Sequence, residues 1–346
     1  MDNQSTPKQE KKSKISRRKL LIGLGIGTVG LAAIGGNMAV DRLGLKMPEF
    51  IRGKEKVPDL SGKSVLITGS SSGFGRAGAE HYARLGAKVF ASMRNLPRPE
   101  ADELRDLARR EKLDITVIEI DVTSDEQVKA GVAKALEQTK NIDVLINNAA
   151  IAVGGPIEAQ DMEATQLMFD TNVFGPQRLC REVMPIMRAN GGGHVFNVSS
   201  MLGRLVVPGY GQYSPTKFAL EALSEQMSYE MQGTGVGMTI IQPGGYPTKI
   251  WQNQATLTAA LKERMSDEME KVYPKLTAPM GEVAGGANLQ TDPMDVPRAI
   301  ADVLARPPKD RPLRRAVHPV ASPQMAINKV SARQQELIFS ASDSDA

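Results

Sequence analysis

One cysteine, Cys180, stands alone in 346 residues, so no disulfide can form within the chain. Three histidines, His81, His194 and His318, are scattered too widely to build a zinc site of Cys/His type at ligand spacing. Phe, Trp and Tyr together make up 4% of the chain, too few for the stacking platforms of a nucleic-acid groove. The surplus of positive charge is local: residues 1–40 hold seven basic and two acidic side chains, and the rest is balanced to within one negative charge. The formal +4 therefore describes an N-terminal arm rather than a basic surface, and no nucleic-acid partner is expected. With 41% hydrophobic and 24% charged residues the composition is globular, which excludes disordered and fibrous classes. No internal repeat is visible.

The N-terminal arm reads as a targeting segment. Residues 1–19 are polar and basic and end Ser16-Arg17-Arg18-Lys19, and Leu20 to Val40 then runs 21 residues without a charge, rich in Gly and Ala. This resembles a twin-arginine export signal, with Leu20 where Phe is commoner. The competing reading is a membrane anchor, because 21 uncharged residues just reach across a bilayer. Glycine lowers both hydrophobicity and helix propensity, which suits an export segment better. No clean Ala-x-Ala precedes Asp41, so cleavage is left open. The expected location is the periplasm or the outer face of the inner membrane, the alternative a body on the cytoplasmic face behind an anchor. Residues 41–60, rich in Pro, Gly and charge, read as a tether.

Beyond the tether, apolar runs of strand length recur between longer amphipathic stretches: Ser64 to Thr68, Lys88 to Ser92, Thr116 to Ile120, Val144 to Ile146, His194 to Val198 and Met238 to Ile241. Near-continuous apolar strands separated by helical patterns predict an α/β fold, a single doubly wound parallel sheet covered on both faces. Ser124 and Gln127 have the spacing of a capping box at the start of the helix after the third strand. One catalytic-size domain over 61–320 accounts for the body, and 321–346 is a C-terminal extension with a polar tail.

Immediately after the first strand stands Thr68-Gly69-Ser70-Ser71-Ser72-Gly73-Phe74-Gly75, followed by a helical Arg76 to Leu85. Glycines let the backbone turn tightly and approach a pyrophosphate, whose charge then meets a helix N-terminus. The spacing Gly-x3-Gly-x-Gly resembles that of the short-chain dehydrogenase/reductase family, and later motifs extend the likeness over residues 60–320. Asn147-Asn148-Ala149-Ala150 is similar to the family's NNAG segment, with Ala150 in place of the final Gly. Asp121-Val122 resembles its adenine-contacting pair. Pro243-Gly244-Gly245-Tyr246-Pro247-Thr248 fits its PGxxxT segment, in which Thr248 is expected to hold the nicotinamide carboxamide. The likeness implies a cofactor cradle of Thr68, Gly69, Ser71, Gly73, Phe74, Gly75, Arg94, Asp121, Val122, Asn148, Ala149, Tyr213, Lys217, Pro243, Gly244 and Thr248.

Tyr213 and Lys217, in Tyr213-Ser214-Pro215-Thr216-Lys217, lie at i and i+4 on one face of a helical stretch reaching Met231. A free tyrosine is nearly all protonated at neutral pH. An ammonium about 4 Å away at an effective dielectric of about 20 contributes roughly 4 kcal/mol, which is expected to bring Tyr213 near working pH. By resemblance Ser200, thirteen residues earlier, stabilises the substrate oxygen, with Ser199 the competing serine. Lys217 is expected to bind the nicotinamide ribose as well, and Asn172 matches the family's helix asparagine that holds a proton-relay water. Tyr210 is read as a pocket wall and the three histidines as packing or surface residues.

Cofactor choice is expected at the end of the second strand. Met93 stands where the family's NAD-selecting Asp would be and Arg94 follows, a guanidinium suited to a 2′-phosphate, so NADP is favoured over NAD. Residues 249–291 are expected to include a substrate lid; they contain Trp251, Met265, Met269, Tyr273 and Met280, and flexible methionines suit a broad apolar pocket, although methionine at helical spacing more often serves ordinary packing. The function implied is interconversion of a secondary alcohol and a ketone or aldehyde by hydride transfer. A catalytically silent NADP-binding regulator or a membrane-tethered interaction protein is the alternative, but none of Asn172, Ser200, Tyr213 and Lys217 is missing. The expected partners are a small-molecule alcohol or carbonyl compound, the export machinery or a membrane at the N-terminus, and further copies of the chain in a homo-oligomer.

Overall fold

The computed structural model describes residues 57–319 and 322–342, so the export or anchor segment at 1–40 and most of the tether lie outside the described residues. Seven strands, β1 (Ser64–Ile67), β2 (Lys88–Met93), β3 (Ile115–Glu119), β4 (Val144–Asn147), β5 (Gly193–Val198), β6 (Val236–Pro243) and β7 (Arg314–Val317), form one sheet in the order β3-β2-β1-β4-β5-β6-β7. Every neighbouring pair is parallel, with Ile67 beside Ala91 on one side and beside Ile146 on the other. The chain thus winds outward twice from the centre, as the alternation of strand and helix patterns led one to expect.

The helices are α1 (Gly73–Arg84), α2 (Pro99–Glu111), α3 (Asp125–Leu136), α4 (Met162–Phe169), α5 (Gly175–Ala189), α6 (Tyr213–Glu230), α7 (Ile250–Arg264), α8 (Asp267–Val272), α9 (Pro274–Thr277), α10 (Asp295–Leu304) and α11 (Gln324–Ser342). Period-two alternation splits the strand residues between two cores. Val65, Ile67, Val89, Ala91 and Ile146 pack with Tyr82 of α1, Leu104 of α2 and Ile300 of α10. Leu66, Phe90, Ile118 and Leu145 point the other way, onto Val132 of α3 and Leu179 and Val183 of α5. Because both faces are covered, the central strands carry apolar side chains at nearly every position, which is why they read as continuous runs.

β7 was not anticipated. Its sequence, Arg314-Arg315-Ala316-Val317, has no apolar run, and it forms at the edge of the sheet by pairing with β6. Arg314 is accommodated there by Glu221 and Glu225 of α6, at 2.8 and 2.7 Å, with Arg314 and Glu221 both almost entirely buried. The capping box is half realised. Ser124 Oγ accepts the backbone N–H of Gln127 (3.2 Å), but the Gln127 carboxamide reaches back to the N–H of Asp121 (2.8 Å) instead of to Ser124. The C-terminal extension is a helix: on α11, Gln324 is fully buried, Asn328 donates to the Gln242 side chain (2.7 Å) and Phe339 meets Tyr229 edge-on. Among the described residues no helix is long and apolar enough to cross a membrane, and no cluster of His, Cys, Asp and Glu has the arrangement of a metal site.

Candidate active site

Strand order reverses between β1 and β4, and a crevice opens beyond the C-terminal ends of the strands at this point. A cleft of about 520 Å³ occupies it. At its floor the loop after β1 turns on Gly69 (φ +70) and Gly73 (φ +55), a left-handed conformation that side chains disfavour. A Cβ on Gly75 would lie 2.3 Å from the Gly69 carbonyl oxygen and 2.6 Å from the Asn148 side chain, so only hydrogen fits where the loop runs into α1. The loop is locked to β4. Thr68 Oγ1 accepts the backbone N–H groups of Asn148 and Ala149, both at 3.0 Å, and Asn148 Nδ2 donates to the Thr68 carbonyl at 2.8 Å.

α1 starts at Gly73 with no side-chain cap from Ser72 and no acidic residue in its first turn, and Ser71, Ser72, Gly73 and Phe74 line the cleft. The helix N-terminus therefore offers backbone N–H groups and a positive dipole end to an anion. Further along, Met93, Arg94, Ile120, Asp121 and Val122 form the wall contributed by the ends of β2 and β3. Arg94 is exposed at the rim, just before Asn95, which adopts a left-handed turn (φ +58). Arg98, which the motif reading missed, lines the same wall; its guanidinium pairs with Glu100 (2.9 Å) and donates to the Arg94 carbonyl (3.4 Å). The spacing Arg94-x3-Arg98 was its only trace in the sequence. Asp121 Oδ1 accepts the N–H and hydroxyl of Thr123, which holds the Asp121-Val122 turn against the cleft.

Ser200, Tyr213 and Lys217 come together on the other side, at the end of β5 and the start of α6. Ser200 caps the turn Met201–Gly203 by accepting the N–H of Leu202 (3.1 Å), and its hydroxyl lies near enough to Tyr213 to oppose the rise of the tyrosine's pKa. Ser199 Oγ is buried without a partner, so of the two serines only Ser200 engages the tyrosine. Lys217 is 2% exposed, donates to the Val198 carbonyl (2.9 Å) and holds its ammonium 5.6 Å from the centre of the Tyr213 ring. Burial dominates both groups. It pushes the Tyr213 hydroxyl up to about 12 against the opposing hydrogen bond from Ser200, and Lys217 down to about 8 against the favourable charge of Glu221. The expectation that Lys217 would draw Tyr213 close to working pH is thus corrected for this conformation, because desolvation outweighs an ammonium engaged by a carbonyl.

Asn172 is 1% exposed and sits in a π-wound turn, Asp170–Phe174, between α4 and α5. Its carboxamide accepts from Ile151 N and donates to Ile151 O, both at 2.9 Å, and donates to Thr216 Oγ1 at 3.1 Å. The side chain therefore ties the segment after β4 to the first turn of α6, next to Lys217. A deeper polar ladder does the same for the strands: Asn147 donates to Asn197 (2.8 Å) and Asn197 to Ser224 of α6 (2.8 Å).

Thr248 touches the glycine loop, since a Cβ on Gly73 would be 3.2 Å from its Cβ. Pro243 and Gly244 line the cleft, and the His318 ring lies over Gly244, where a Cβ would be 2.3 Å away. His194 is buried at 3.0 Å from Thr239 Oγ1, and His81 is half-buried on α1, so none of the three histidines is part of the cleft lining. The lid residues divide. Trp251 lines the cleft and donates to the Tyr246 carbonyl (2.7 Å), joined by Ile250, Asn253, Gln254 and Leu257. Met265, Met269, Tyr273 and Met280 do not line it; Met280 is buried against Ile151, Val153, Met168 and Leu261, and the Tyr273 hydroxyl donates to Glu158. Met280 and Met265 join an inner packing cluster, whereas Tyr273 reaches the exposed Glu158. Tyr210 is a wall, as expected, and burial raises its hydroxyl to about 12.

The comparisons agree with this geometry. The family model described as short chain dehydrogenase matches residues 63–258. A 3-ketodihydrosphingosine reductase of Bacteroides thetaiotaomicron is 30% identical over 265 residues, 77% of this chain and 91% of that one. The uncharacterized oxidoreductase YusZ of Bacillus subtilis is 39% identical over 191 residues, 55% of this chain and 67% of its own. A short-chain dehydrogenase from Streptomyces avermitilis superposes with a TM-score of 0.63 at 29% identity, covering 82% of this chain and 96% of that chain. The chain belongs to the short-chain dehydrogenase family, and is an oxidoreductase acting on CH–OH or carbonyl groups.

Proposed function

We propose that the protein is an NADP-dependent oxidoreductase interconverting a secondary alcohol and a ketone or aldehyde, with Tyr213 as general acid and base. The observation that carries this reading is the corner in which Ser200 and Tyr213 share one cleft wall while Lys217 lies under the tyrosine ring, open to the same cleft as the glycine loop. The cradle fits a dinucleotide: glycines where a Cβ would collide, an uncapped helix N-terminus for the pyrophosphate, and Asp121 and Val122 beside the adenine position. Asn148 and Ala149 shape the loop, and Pro243, Gly244 and Thr248 close it at the nicotinamide end. Arg94, exposed at the end of β2 with no acidic side chain at Met93, favours the 2′-phosphate of NADP over NAD.

When bound, the nicotinamide supplies or accepts the hydride. Ser200 donates to the substrate oxygen and disperses the negative charge that grows there. With its hydroxyl held at about 12, Tyr213 carries its proton across the physiological range and is ready to give it to that oxygen in the reducing direction. Lys217, at about 8, remains largely an ammonium at neutral pH and favours the phenolate left behind. Asn172 holds the first turn of α6 in place. The test is Tyr213→Phe, which keeps the ring and removes the proton: turnover should fall by about 100-fold or more while NADPH affinity is retained. Near-wild-type turnover would overturn the assignment. For location, we propose export of the folded enzyme through Arg17-Arg18, supported by a body whose single cysteine leaves no disulfide to form outside.

A further inference from the structure

The substrate end of the cleft differs in chemistry from the cofactor end. Four charged side chains line the cleft: Arg94, Arg98, Asp121 and Lys217. Three of these stand on the β2 and β3 wall, and the fourth is fully buried with its ammonium on the Val198 carbonyl. Beyond Ser200 and Tyr213 the walls are Ile151, Met201, Val207, Tyr210, Trp251 and Leu257. The segment that carries Val207 and Tyr210 is pinned to the segment after β4, since Gly155 N donates to the Gly209 carbonyl (2.8 Å) and Gly211 N to the Gly155 carbonyl (3.0 Å). Three polar side chains of α7, the carboxamides of Asn253 and Gln254 and the hydroxyl of Thr256, join the rim at this end, and none carries a charge. Among the described residues no Arg, Lys or His reaches this part of the lining.

We infer that this cleft selects uncharged, predominantly apolar carbonyl compounds and their alcohols and discriminates against carboxylates, a substrate class that rests on the reductase reading above. A keto acid entering here would shed water from its carboxylate and meet apolar side chains with no cation to replace it, whereas the corresponding ester exchanges water for Leu257, Met201 and Trp251 contacts at no such cost. The carboxamides at the rim can hydrogen-bond either an ester or a carboxylate, and although the bond to the carboxylate is the stronger, a neutral donor at the rim does not offset the desolvation of an ion that meets no counter-charge.

The test pairs a medium-chain 3-oxo ester with its free 3-oxo acid. With NADPH, kcat/KM for the ester should exceed that for the acid by roughly 100-fold, the selectivity of a site whose wrong ligand leaves a charge unpaired. Trp251 is the only tryptophan in the chain, so its fluorescence reports occupancy of this end without turnover. The ester should perturb it at a concentration at least tenfold below the acid, in the wild type and in Tyr213→Phe alike. Equal or stronger response to the acid, or response to neither, overturns the inference. If Tyr213→Phe turns over normally while the ester still outbinds the acid at Trp251, the catalytic reading fails and the substrate class stands. Leu257→Arg supplies the missing cation and should narrow the ester preference at least tenfold.

Discussion

Replacing Lys217 by methionine should make the protein more stable while abolishing its chemistry. The ammonium is buried, and its pKa falls from 10.5 to about 8, a cost of roughly 3 kcal/mol for keeping the charged form inside at neutral pH. Methionine fills the same space without the charge, but the Val198 carbonyl loses its donor, which takes back about 1 kcal/mol. The net gain is about 2 kcal/mol at pH 7, or a rise in Tm of roughly 4–8 °C for a domain of this size. Because the native lysine releases its proton earlier than the unfolded one, the unfolded chain binds more protons between about pH 8 and 10.5, and wild-type stability climbs through that window. The variant lacks this climb, so its advantage should vanish within the window and turn into a deficit of about 1 kcal/mol by about pH 10.5, where the lost hydrogen bond to Val198 is what remains. Urea unfolding of both proteins from pH 7 to 10.5 measures the difference, in which all other titrations cancel. A destabilised variant at pH 7, or a gap that does not narrow with pH, refutes the reasoning.

Arg94→Ala should weaken NADPH much more than NADH in binding titrations, because only the former carries the 2′-phosphate; equal losses show that Arg94 does not discriminate. Arg314→Met leaves the buried carboxylate of Glu221 without its guanidinium, with a neutral hydrogen bond from Gln242 (2.9 Å), and should cost about 3–5 kcal/mol in urea unfolding, whereas a loss below about 1 kcal/mol means that such neutral bonding suffices for Glu221. Arg17→Lys with Arg18→Lys should hold the folded, active protein inside fractionated cells, and identical distribution of variant and wild type removes the export reading in favour of an anchor.

The sheet was legible because its central strands are buried on both faces. Val65-Leu66-Ile67 and Val144-Leu145-Ile146 have no polar residue to interrupt them, and an apolar run of that length between helical patterns has few other homes. β7 escaped for the opposite reason. An edge strand needs only backbone pairing, and the two arginines of Arg314-Arg315 are tolerated through acidic partners 302 and 221, residues that no local window connects to them. The glycine loop was readable at the level of single atoms, since a position where a Cβ would meet a carbonyl oxygen at 2.3 Å admits one residue type only.

That Ser200, Tyr213 and Lys217 share one corner was readable in the sequence, and their electrostatics were not. Spacing alone places Tyr213 and Lys217 on one face of α6, but it does not say what each polar head will meet. The Val198 carbonyl, which takes the ammonium, comes from β5, nineteen residues upstream, and the desolvation that drives both groups arises from the whole packed sheet behind them. Asn172 shows the same limit. A lone asparagine in a helical pattern suggests a cap or a defect, yet in the fold its carboxamide spans from Ile151 to Thr216 and makes three bonds. Its place in a π-wound turn is what turns the side chain inward, and such a turn carries no sequence signature of its own. The loss expected from Asn172→Ala is accordingly one of position: two backbone groups of Ile151 and one hydroxyl of α6 lose their shared partner, and the segment after β4 is released from the helix that presents Tyr213.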